Sequence, residues 1–282
     1  MRLKINENKE LPKISIVTIT YNSEKTVEET INSVISQEYP NLEYIVIDGA
    51  SKDNTLEIVN RYKNKIAIIV SEPDKGISDA FNKGITKSTG EIIGIINSDD
   101  ILLPGALKEI AEVYDKTVDV YSGNVLFWND INNITCISKP ELNFDKLKLQ
   151  YGVAHPSRFI RKDAYERFGL YDIRFRYNMD INLLCRFYQK GAKFIHIDKE
   201  LTKFRMGATT ADPIYKKKED YRLFVQCYGG SDWDFKKIWV HAIFKYKMIK
   251  LSQLIFGNNF RYTINNNWFC RTFLRPIANL IS

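Results

Sequence analysis

The sequence contains little that would build a disulfide scaffold or a membrane-spanning segment. Its four cysteines stand far apart and none belongs to a C-x-x-C pair, which argues against a zinc site or a disulfide framework. This usage favours reduced thiols in a cytoplasmic setting. There is no uninterrupted run of about 18 uncharged apolar residues, so we predict no spanning helix. Residues 1–10 are polar, and we therefore expect no signal peptide.

Acidic residues are absent from position 236 onward, where five Lys and three Arg occur, so the net charge of +7 comes from this segment. Apolar and aromatic residues recur there at helical spacing between the lysines, a pattern typical of a helix lying on anionic lipid. We expect peripheral membrane contact through residues 236–282. The alternative is packing on the rest of the protein or on the second subunit of a homodimer. No recognition module accompanies the charge, so we expect no nucleic-acid partner.

A regular alternation of strand and helix patterns occupies the first 125 residues. The continuous β-branched run ISIVTIT is typical of a buried parallel strand, and LEYIVID has the pattern of a second strand. The alternation predicts an α/β fold with a mostly parallel sheet between two layers of helices. We predict strands at residues 14–20, 42–48, 66–70, 91–97, 118–125, 134–138 and 193–197. We predict helices at residues 23–37 (with Ser23 as the N-cap), 53–63, 77–87, 104–114, 162–168, 181–189 and 215–228.

Polar residues cluster where the predicted strands end, and the carboxyl ends of parallel strands form the ligand crevice of such a sheet. One cluster is Asn97-Ser98-Asp99-Asp100, directly after an apolar strand. Adjacent carboxylates repel each other, and a divalent cation would remove that repulsion. Their hard oxygen atoms suit Mg²⁺ or Mn²⁺. The alternative is a carboxylate pair that caps the helix predicted to follow.

Five segments then occur in a characteristic order over roughly residues 12–210: VTITYN, DGASKDNT, SEPDKGISDAFNKGI, TGEIIGIINSDD and the region around Asp180. Together they resemble family 2 glycosyltransferases of the GT-A fold. Within that family they resemble bacterial enzymes of exopolysaccharide, capsule and O-antigen synthesis, such as the colanic acid type. The resemblance implies a Rossmann-like central sheet flanked by helices, and an enzyme that uses a nucleotide-sugar donor.

The resemblance also implies a division of the chain. Residues 1–210 would form the GT-A catalytic domain, with a donor half at about 12–125 and an acceptor half at about 126–210. Residues 211–282 would form a helical, basic and aromatic extension. The acceptor would be a saccharide, typically lipid-linked, and the enzyme would work in the cytoplasm at the inner face of the cytoplasmic membrane. Mn²⁺ or Mg²⁺ would be the cofactor.

Individual roles follow from the same resemblance. Asp180 would be the catalytic base, although the helix dipole at its position would lower its pKa; the alternative is that Asp180 only caps the helix. Asn182 stands where relatives often carry a second carboxylate. Asp99 and Asp100 would bind the metal, with Asn97 where a first carboxylate is usual. Donor binding falls to Thr20, Tyr21, Asn22, Asp48, Asp74, Lys83, Ser98 and Asp99, and contact with the acceptor or the diphosphate to His155 and Arg205.

We therefore predict an inverting glycosyltransferase of the hexosyl- or N-acetylhexosaminyl-transferase class, with a UDP-sugar as the favoured donor, in bacterial surface polysaccharide synthesis. One alternative is a non-catalytic GT-A module that binds glycan or lipid, because Asn97 and Asn182 cannot titrate. A sugar nucleotidyltransferase is less favoured, because residues 20–24 lack a Gly-rich basic loop. His155 and Arg205 also have structural alternatives, a packed histidine and a solvated cation.

Overall fold

The structure is a computed structural model of the chain, and it describes residues 11–129, 134–138, 155–205, 219–223 and 225. The chain divides into two compact units, Met1–Tyr228 and Gly229–Ser282, and every described residue belongs to the first. Residue 210, the predicted end of the catalytic domain, lies outside the described residues, as does the predicted membrane-contact segment 236–282.

Among the described residues, nine strands form one sheet in the order β3-β2-β1-β4-β8-β6-β9-β5, with β7 paired to β6. The strands are β1 (Ile14–Thr20), β2 (Leu42–Asp48), β3 (Ile68–Ser71), β4 (Ile92–Asn97), β5 (Ile101–Leu102), β6 (Val120–Asn129), β7 (Ile134–Ser138), β8 (Arg158–Arg161) and β9 (Phe194–Arg205). The helices are α1 (Val27–Ile35), α2 (Thr55–Arg61), α3 (Ile77–Lys87), α4 (Ala106–Val113), α5 (Lys162–Phe168) and α6 (Met179–Gln189).

The predicted parallel arrangement is confirmed for the first four strands. β3, β2, β1 and β4 are parallel neighbours, and β1 lies between β2 and β4. The register pairs Thr20 with Asp48, Asp48 with Ser71, and Ile19 with Asn97. The polar residues that end these strands therefore meet at one edge of the sheet, where ligands of parallel sheets bind.

Beyond β4 the sheet is mixed. β8 is antiparallel to both β4 and β6, β5 is antiparallel to β9, and β6 is parallel to β9. The sequence did not predict β5, which has only two residues, or β8, whose four residues (RFIR) contain two arginines and no apolar run. It also ended β6 and β9 too early, since their pairing continues to Asn129 and Arg205.

The core has two layers, one on each face of the sheet. Along β1 the side chains alternate: Val17 packs with residues of α3, α5 and α6, whereas Ile14 and Ile16 pack with residues of α1 and α4. Helix α3 lies very close to β1, because a Cβ atom on Gly84 would be 2.2 Å from Cγ1 of Val17. The N-terminal end of α3 lies at the polar edge of the sheet, because the helix follows the carboxyl end of β3.

Two predicted helices differ from the structure by more than two residues at one end. α1 begins at Val27 with Thr26 as its N-cap, so the prediction of Ser23 as N-cap is wrong. The Ser23 hydroxyl instead donates to the carbonyl of Tyr21 and accepts from Ser98, which ties it to the sheet edge. Of the helix predicted at 215–228, residues 219–223 are helical and most of the remainder lies outside the described residues. Within the described ranges, no helix has the length and hydropathy needed to cross a bilayer.

Candidate active site

The loops after β1 and β2 are hydrogen-bonded into one wall at the sheet edge. The backbone N–H of Asn22 donates to the Ser51 hydroxyl at 2.8 Å, and the N–H of Lys52 donates to Oδ1 of Asn22 at 2.9 Å. Asn22 adopts a positive φ of 50°, a conformation that asparagine tolerates better than most residues. Next to this wall the Tyr21 side chain is 59% exposed, so its ring is available to a ligand.

Asp48 is fully buried at the end of β2, and its carboxylate accepts hydrogen bonds from three donor groups. Oδ1 accepts from the Ser51 hydroxyl at 2.5 Å, while Oδ2 accepts from the Ser71 hydroxyl at 2.6 Å and the Ser51 N–H at 3.1 Å. A Cβ atom on Gly49 would lie 2.6 Å from Oδ2 of Asp74, so a side chain there would push Asp74 away. Asp48 and Gly49 thus bring together the loops that follow β2 and β3.

Lys83 stabilises the loop between β3 and α3. Its ammonium group donates to the carbonyl of Pro73 at 2.8 Å and forms ion pairs with Glu72 at 2.9 Å and Asp79 at 3.8 Å. The ammonium group is thus already paired within the protein, and these contacts order the loop that carries Asp74.

Helix α3 connects this loop with the segment that leads to Asp180. The Ser78 hydroxyl donates to the carbonyl of Phe175 at 2.8 Å. The Asn82 side chain exchanges two hydrogen bonds with the backbone of Tyr171, at 2.8 and 2.9 Å. The loop that carries Asp74 and the segment before Asp180 are therefore bonded to the same helix.

The acidic turn is the segment of residues 97–100 at the end of β4. Its two carboxylates, Asp99 and Asp100, have different surroundings. Asp100 is fully buried, and its oxygens accept from Nδ2 of Asn97 at 3.1 Å and from the N–H of Arg205 at 3.3 Å. Asp99 is only partly buried. Burial raises the pKa of Asp99, and burial together with the charge of Asp99 raises the pKa of Asp100 well above its usual range.

A divalent cation would offset this unfavourable concentration of negative charge, and carboxylate oxygens are ligands that Mn²⁺ and Mg²⁺ accept. The described part of the chain holds no cluster of three or more His, Cys, Asp or Glu side chains arranged around a common point. Asp99 and Asp100 are the carboxylates of this turn that would hold such a cation, which would supply positive charge at the polar edge of the sheet.

Arg205 stabilises the acidic turn through its guanidinium group. Its guanidinium donates to Glu29 at 2.5 Å and to the carbonyl of Asp99 at 3.3 Å, and it lies 4.0 Å from the ring centroid of Trp128. The side chain is only 15% exposed, which does not fit the alternative of a solvated surface cation. Ser98 in the same turn donates its hydroxyl to Ser23 at 2.8 Å.

Asp180 is the second residue of α6, two positions after the N-cap Asn178. Its Oδ1 accepts from the N–H of Ile181 at 2.8 Å. Burial raises the pKa of Asp180, while the positive charge of Arg158 acts in the opposite direction. The backbone hydrogen bonds at this helix end lower the pKa, as expected, but desolvation outweighs them. A carboxylate with a raised pKa is a better proton acceptor than an exposed one.

The ring of His155 packs against core residues near Asp180. Its ring stacks on Phe81 at a centroid distance of 4.7 Å, and neither ring nitrogen has a hydrogen-bond partner among the described residues. Burial, together with the charge of Arg158, lowers the pKa of His155 to about 3. The imidazole is therefore neutral at physiological pH. These surroundings favour the structural alternative, and its predicted contact with the acceptor or diphosphate stays a prediction.

Replacing His155 with Phe is expected to reduce the acid sensitivity of folding. Because the pKa of His155 is depressed in the folded state, the unfolded chain binds an extra proton between about pH 6.5 and the folded pKa of about 3. The wild type should thus lose on the order of 2 kcal/mol of stability from this group between pH 7 and pH 5, and His155→Phe should not. Urea unfolding at the two pH values measures the difference.

His196 supplies the matched control for this measurement, because its side chain is exposed on β9. The pH dependence of the His196→Gln protein gives the comparison for removal of an exposed histidine. Equal pH dependence of the wild type and His155→Phe would contradict the prediction.

Two residues near Asp180 were missed by the sequence analysis. Arg158 is buried, and its charge acts on His155, Tyr171 and Asp180. Glu219 bonds to the segment before Asp180 across a sequence separation of 41 residues. A single buried Arg or Glu has no periodicity or motif, so the sequence contained no signal for either.

The polar parallel edge of the sheet, the acidic turn and the partly buried carboxylate of Asp180 form a site at the carboxyl ends of the strands, where ligands of such sheets bind. Residues 15–169, more than half of the chain, match the glycosyl transferase family 2, and the chain belongs to this family. The resemblance noted from the sequence is thereby confirmed, and the protein is a glycosyltransferase.

Two relatives illustrate the family likeness. A glycosyltransferase of Rickettsia prowazekii (strain Madrid E), named as uncharacterized, is 28% identical over 224 residues, which are 74% of this chain and 69% of the relative. The poly(ribitol-phosphate) β-N-acetylglucosaminyltransferase TarS of Staphylococcus aureus (strain Mu50) is 35% identical over 109 residues, which are 37% of this chain and 19% of TarS.

Solved structures confirm the GT-A fold. The crystal structure of S. aureus TarS 1–349 in complex with UDP-GlcNAc matches with a TM-score of 0.60 and 20% identity, over 76% of this chain and 65% of that chain. The mannosyltransferase PcManGT from Pyrobaculum calidifontis, in complex with GDP-Man and Mn²⁺, matches with a TM-score of 0.59 and 19% identity, over 79% of this chain and 66% of that chain. The match thus spans about two thirds of each structure.

Proposed function

We propose that this protein transfers a sugar from a nucleotide-diphosphate sugar to a saccharide acceptor in polysaccharide synthesis, with inversion at the anomeric carbon. The observation that carries the proposal is the pair of contacts from α3, through Ser78 and Asn82, to the segment before Asp180. They join a carboxyl of raised pKa to the loop at the parallel edge of the sheet. Family membership and the UDP-GlcNAc complex of TarS support a sugar nucleotide as the donor.

The nucleoside is proposed to bind the wall formed by the loops after β1 and β2. The exposed ring of Tyr21 offers a stacking surface for the base. Asp48 and Asn22 hold the shape of the wall through their bonds to Ser51. The hydroxyl of Thr20, buried and without a partner among the described residues, supports a further polar contact at this edge. UDP is the favoured nucleotide, as in the TarS complex.

Mn²⁺ or Mg²⁺ is proposed to bind at Asp99. Of the two carboxylates in the turn, Asp99 is the more accessible, while Asp100 already accepts hydrogen bonds from Asn97 and Arg205. When bound, the cation supplies positive charge that stabilises the leaving diphosphate. We propose that Arg205 holds the turn in shape from behind, since its guanidinium is committed to Glu29 and to the carbonyl of Asp99.

Asp180 is proposed to accept the proton of the acceptor hydroxyl as that oxygen attacks the anomeric carbon. The bond from the anomeric carbon to the diphosphate oxygen breaks on the opposite face, which inverts the configuration and releases the nucleoside diphosphate. Asn182 does not weaken this assignment, because it is fully buried and accepts from Nε of Arg186 at 3.0 Å, a structural use. A single carboxylate suffices for the proton transfer.

The acceptor is proposed to be a lipid-linked saccharide at the inner face of the cytoplasmic membrane. This part of the proposal rests on the basic and aromatic sequence of residues 236–282, which lies outside the described residues. The same segment is the place to seek a homodimer contact.

The test is ligand-dependent stability of the full chain, followed by product analysis. Unfolding is measured with UDP, GDP, CDP and dTDP, each with and without Mn²⁺, and with uridine as the control that lacks a diphosphate. A ligand at about 100 times its Kd should stabilise the protein by roughly 2.7 kcal/mol. One diphosphate should stabilise in a Mn²⁺-dependent manner, and NMR of the product should show the anomer opposite to that of the donor. A protein that no diphosphate stabilises, or a product of retained configuration, would contradict the proposal.

A further inference from the structure

A buried carboxylate outside the polar sheet edge holds the segment that precedes Asp180. Glu219 is 1% exposed. Its Oε1 accepts from the N–H of Arg176 at 2.5 Å, and its Oε2 accepts from the N–H groups of Tyr177 at 2.8 Å and Asn178 at 3.1 Å. Three successive N–H groups thus converge on one carboxylate, as in an anion-binding nest. Asn178 is the N-cap of α6, so this side chain fixes the backbone from which Asp180 projects.

Neighbours of Glu219 bind the same segment. Asp220 accepts from Nδ2 of Asn178 at 2.8 Å, and Nη1 of Arg222 donates to the carbonyl of Arg174 at 3.0 Å. The Asn178 side chain makes no capping hydrogen bond to α6. The start of α6 is therefore held by the helical residues 219–223 rather than by a local cap.

The opposite side of this segment is bonded to α3, because the carbonyl of Phe175 accepts from Ser78. The segment before Asp180 is thus fixed between the helix that borders the sheet edge and the carboxylate of Glu219. A buried carboxylate lowers the stability of the fold unless its oxygen atoms accept hydrogen bonds. An apolar residue would pack at this position without that loss. Charge-assisted hydrogen bonds to three adjacent amides instead define the geometry of the backbone.

We propose that Glu219 is a positioning residue for Asp180: it sets the backbone of residues 176–178 and so the place of the proposed base relative to the acceptor hydroxyl. Glu219 lies beyond residues 15–169, the part of the chain that matches the family. A residue from outside the matched region thereby completes the site. This inference rests on the proposed role of Asp180.

The experiment compares Glu219→Gln and Glu219→Ala with the wild-type full chain. In Glu219→Gln an amide NH₂ faces one of the three backbone donors, so kcat should fall by about tenfold. Glu219→Ala removes every acceptor and should lower kcat by about 100-fold. The Kd of the nucleoside diphosphate should stay within about twofold of the wild-type value. Hydrogen exchange should accelerate at amides 176–178 and stay unchanged in the strands. Glu166→Gln, at an exposed position of α5, is the matched control and should change none of these values.

A double-mutant cycle separates positioning from general destabilisation. In an Asp180→Asn background the base is absent, so Glu219→Gln should lower kcat no further. Accelerated exchange at amides 176–178 with kcat unchanged would overturn the inference, as would equal losses of kcat in the wild-type and Asp180→Asn backgrounds. If Glu219→Ala does not fold, Glu219→Gln carries the same test. Full transfer activity of Asp180→Asn alone would overturn the proposed function instead, and so the two failures can be told apart.

Discussion

Asp180→Asn is expected to lower kcat for sugar transfer by about 10²- to 10⁴-fold, the usual contribution of a positioned general base. Asparagine has nearly the same shape and can still accept from the N–H of Ile181, so the start of α6 should be preserved. Donor affinity should not change, because Asp180 is proposed to contact the acceptor hydroxyl. Steady-state kinetics with the donor found by the stability screen, together with the Kd of the nucleoside diphosphate, measure both quantities.

The pH dependence gives an independent check of the same residue. Only the ionised carboxyl accepts a proton, so the rate falls as the pH drops through the pKa of Asp180. Because burial raises that pKa, the acidic limb of kcat/KM should lie at a higher pH than an exposed aspartate, with its usual pKa of 3.8, would give. In Asp180→Asn this limb should disappear from the residual activity.

Asp163 supplies the control for Asp180→Asn, because its carboxylate is partly exposed on α5 and ion-paired with Arg161 and Arg167. Asp163→Asn should keep wild-type kcat. An Asp180→Asn protein with wild-type kcat and an unchanged acidic limb would disprove the role of Asp180 as the base.

Asp99→Asn is expected to abolish the Mn²⁺-dependent part of nucleotide binding. Asp99 is the partly exposed carboxylate of the acidic turn, and burial raises its pKa, so a nearby cation is favourable. Loss of a metal ligand should weaken nucleotide binding in Mn²⁺ by at least about tenfold. Binding measured in the presence of a chelator should be the same for Asp99→Asn and the wild type. Titration calorimetry with the diphosphate, with and without Mn²⁺, makes the comparison.

Asp100→Asn is the matched variant in the same turn, and its effect should differ. The pKa of Asp100 is raised in the folded state relative to the unfolded state. The free energy of unfolding therefore decreases as the pH rises through the raised pKa. The neutral amide removes the cost, and Asn97 can turn its own amide to present oxygen to the new NH₂. Metal-free Asp100→Asn should therefore be at least as stable as the wild type at pH 7. If Asp100→Asn loses the Mn²⁺ effect while Asp99→Asn keeps it, Asp100 is the ligand and the assignment is reversed.

The parallel half of the sheet could be predicted from the sequence, because the residue pattern within each strand determines it. β1, β2 and β4 are rich in β-branched residues and largely buried, and each is followed by a polar cluster. Parallel neighbours end at the same edge, so Asp48 and the acidic turn were expected at one site before any contact was known. The order of the motifs then indicated the family, and Asp180 was assigned by that likeness alone.

The tertiary structure decided what depends on residues distant in sequence. The short strands β5 and β8 exist because longer strands pair with them, and the mixed order of the second half follows from that pairing. The raised pKa of Asp180 comes from burial, which outweighs the effect of its helix end. Arg205 faces Glu29 and the acidic turn rather than solvent, and Glu219 closes on the backbone before Asp180. Local patterns determined which segments are strands and where the polar edge lies, whereas desolvation and long-range hydrogen bonds, which no local pattern encodes, determined the electrostatics and the positioning of the site.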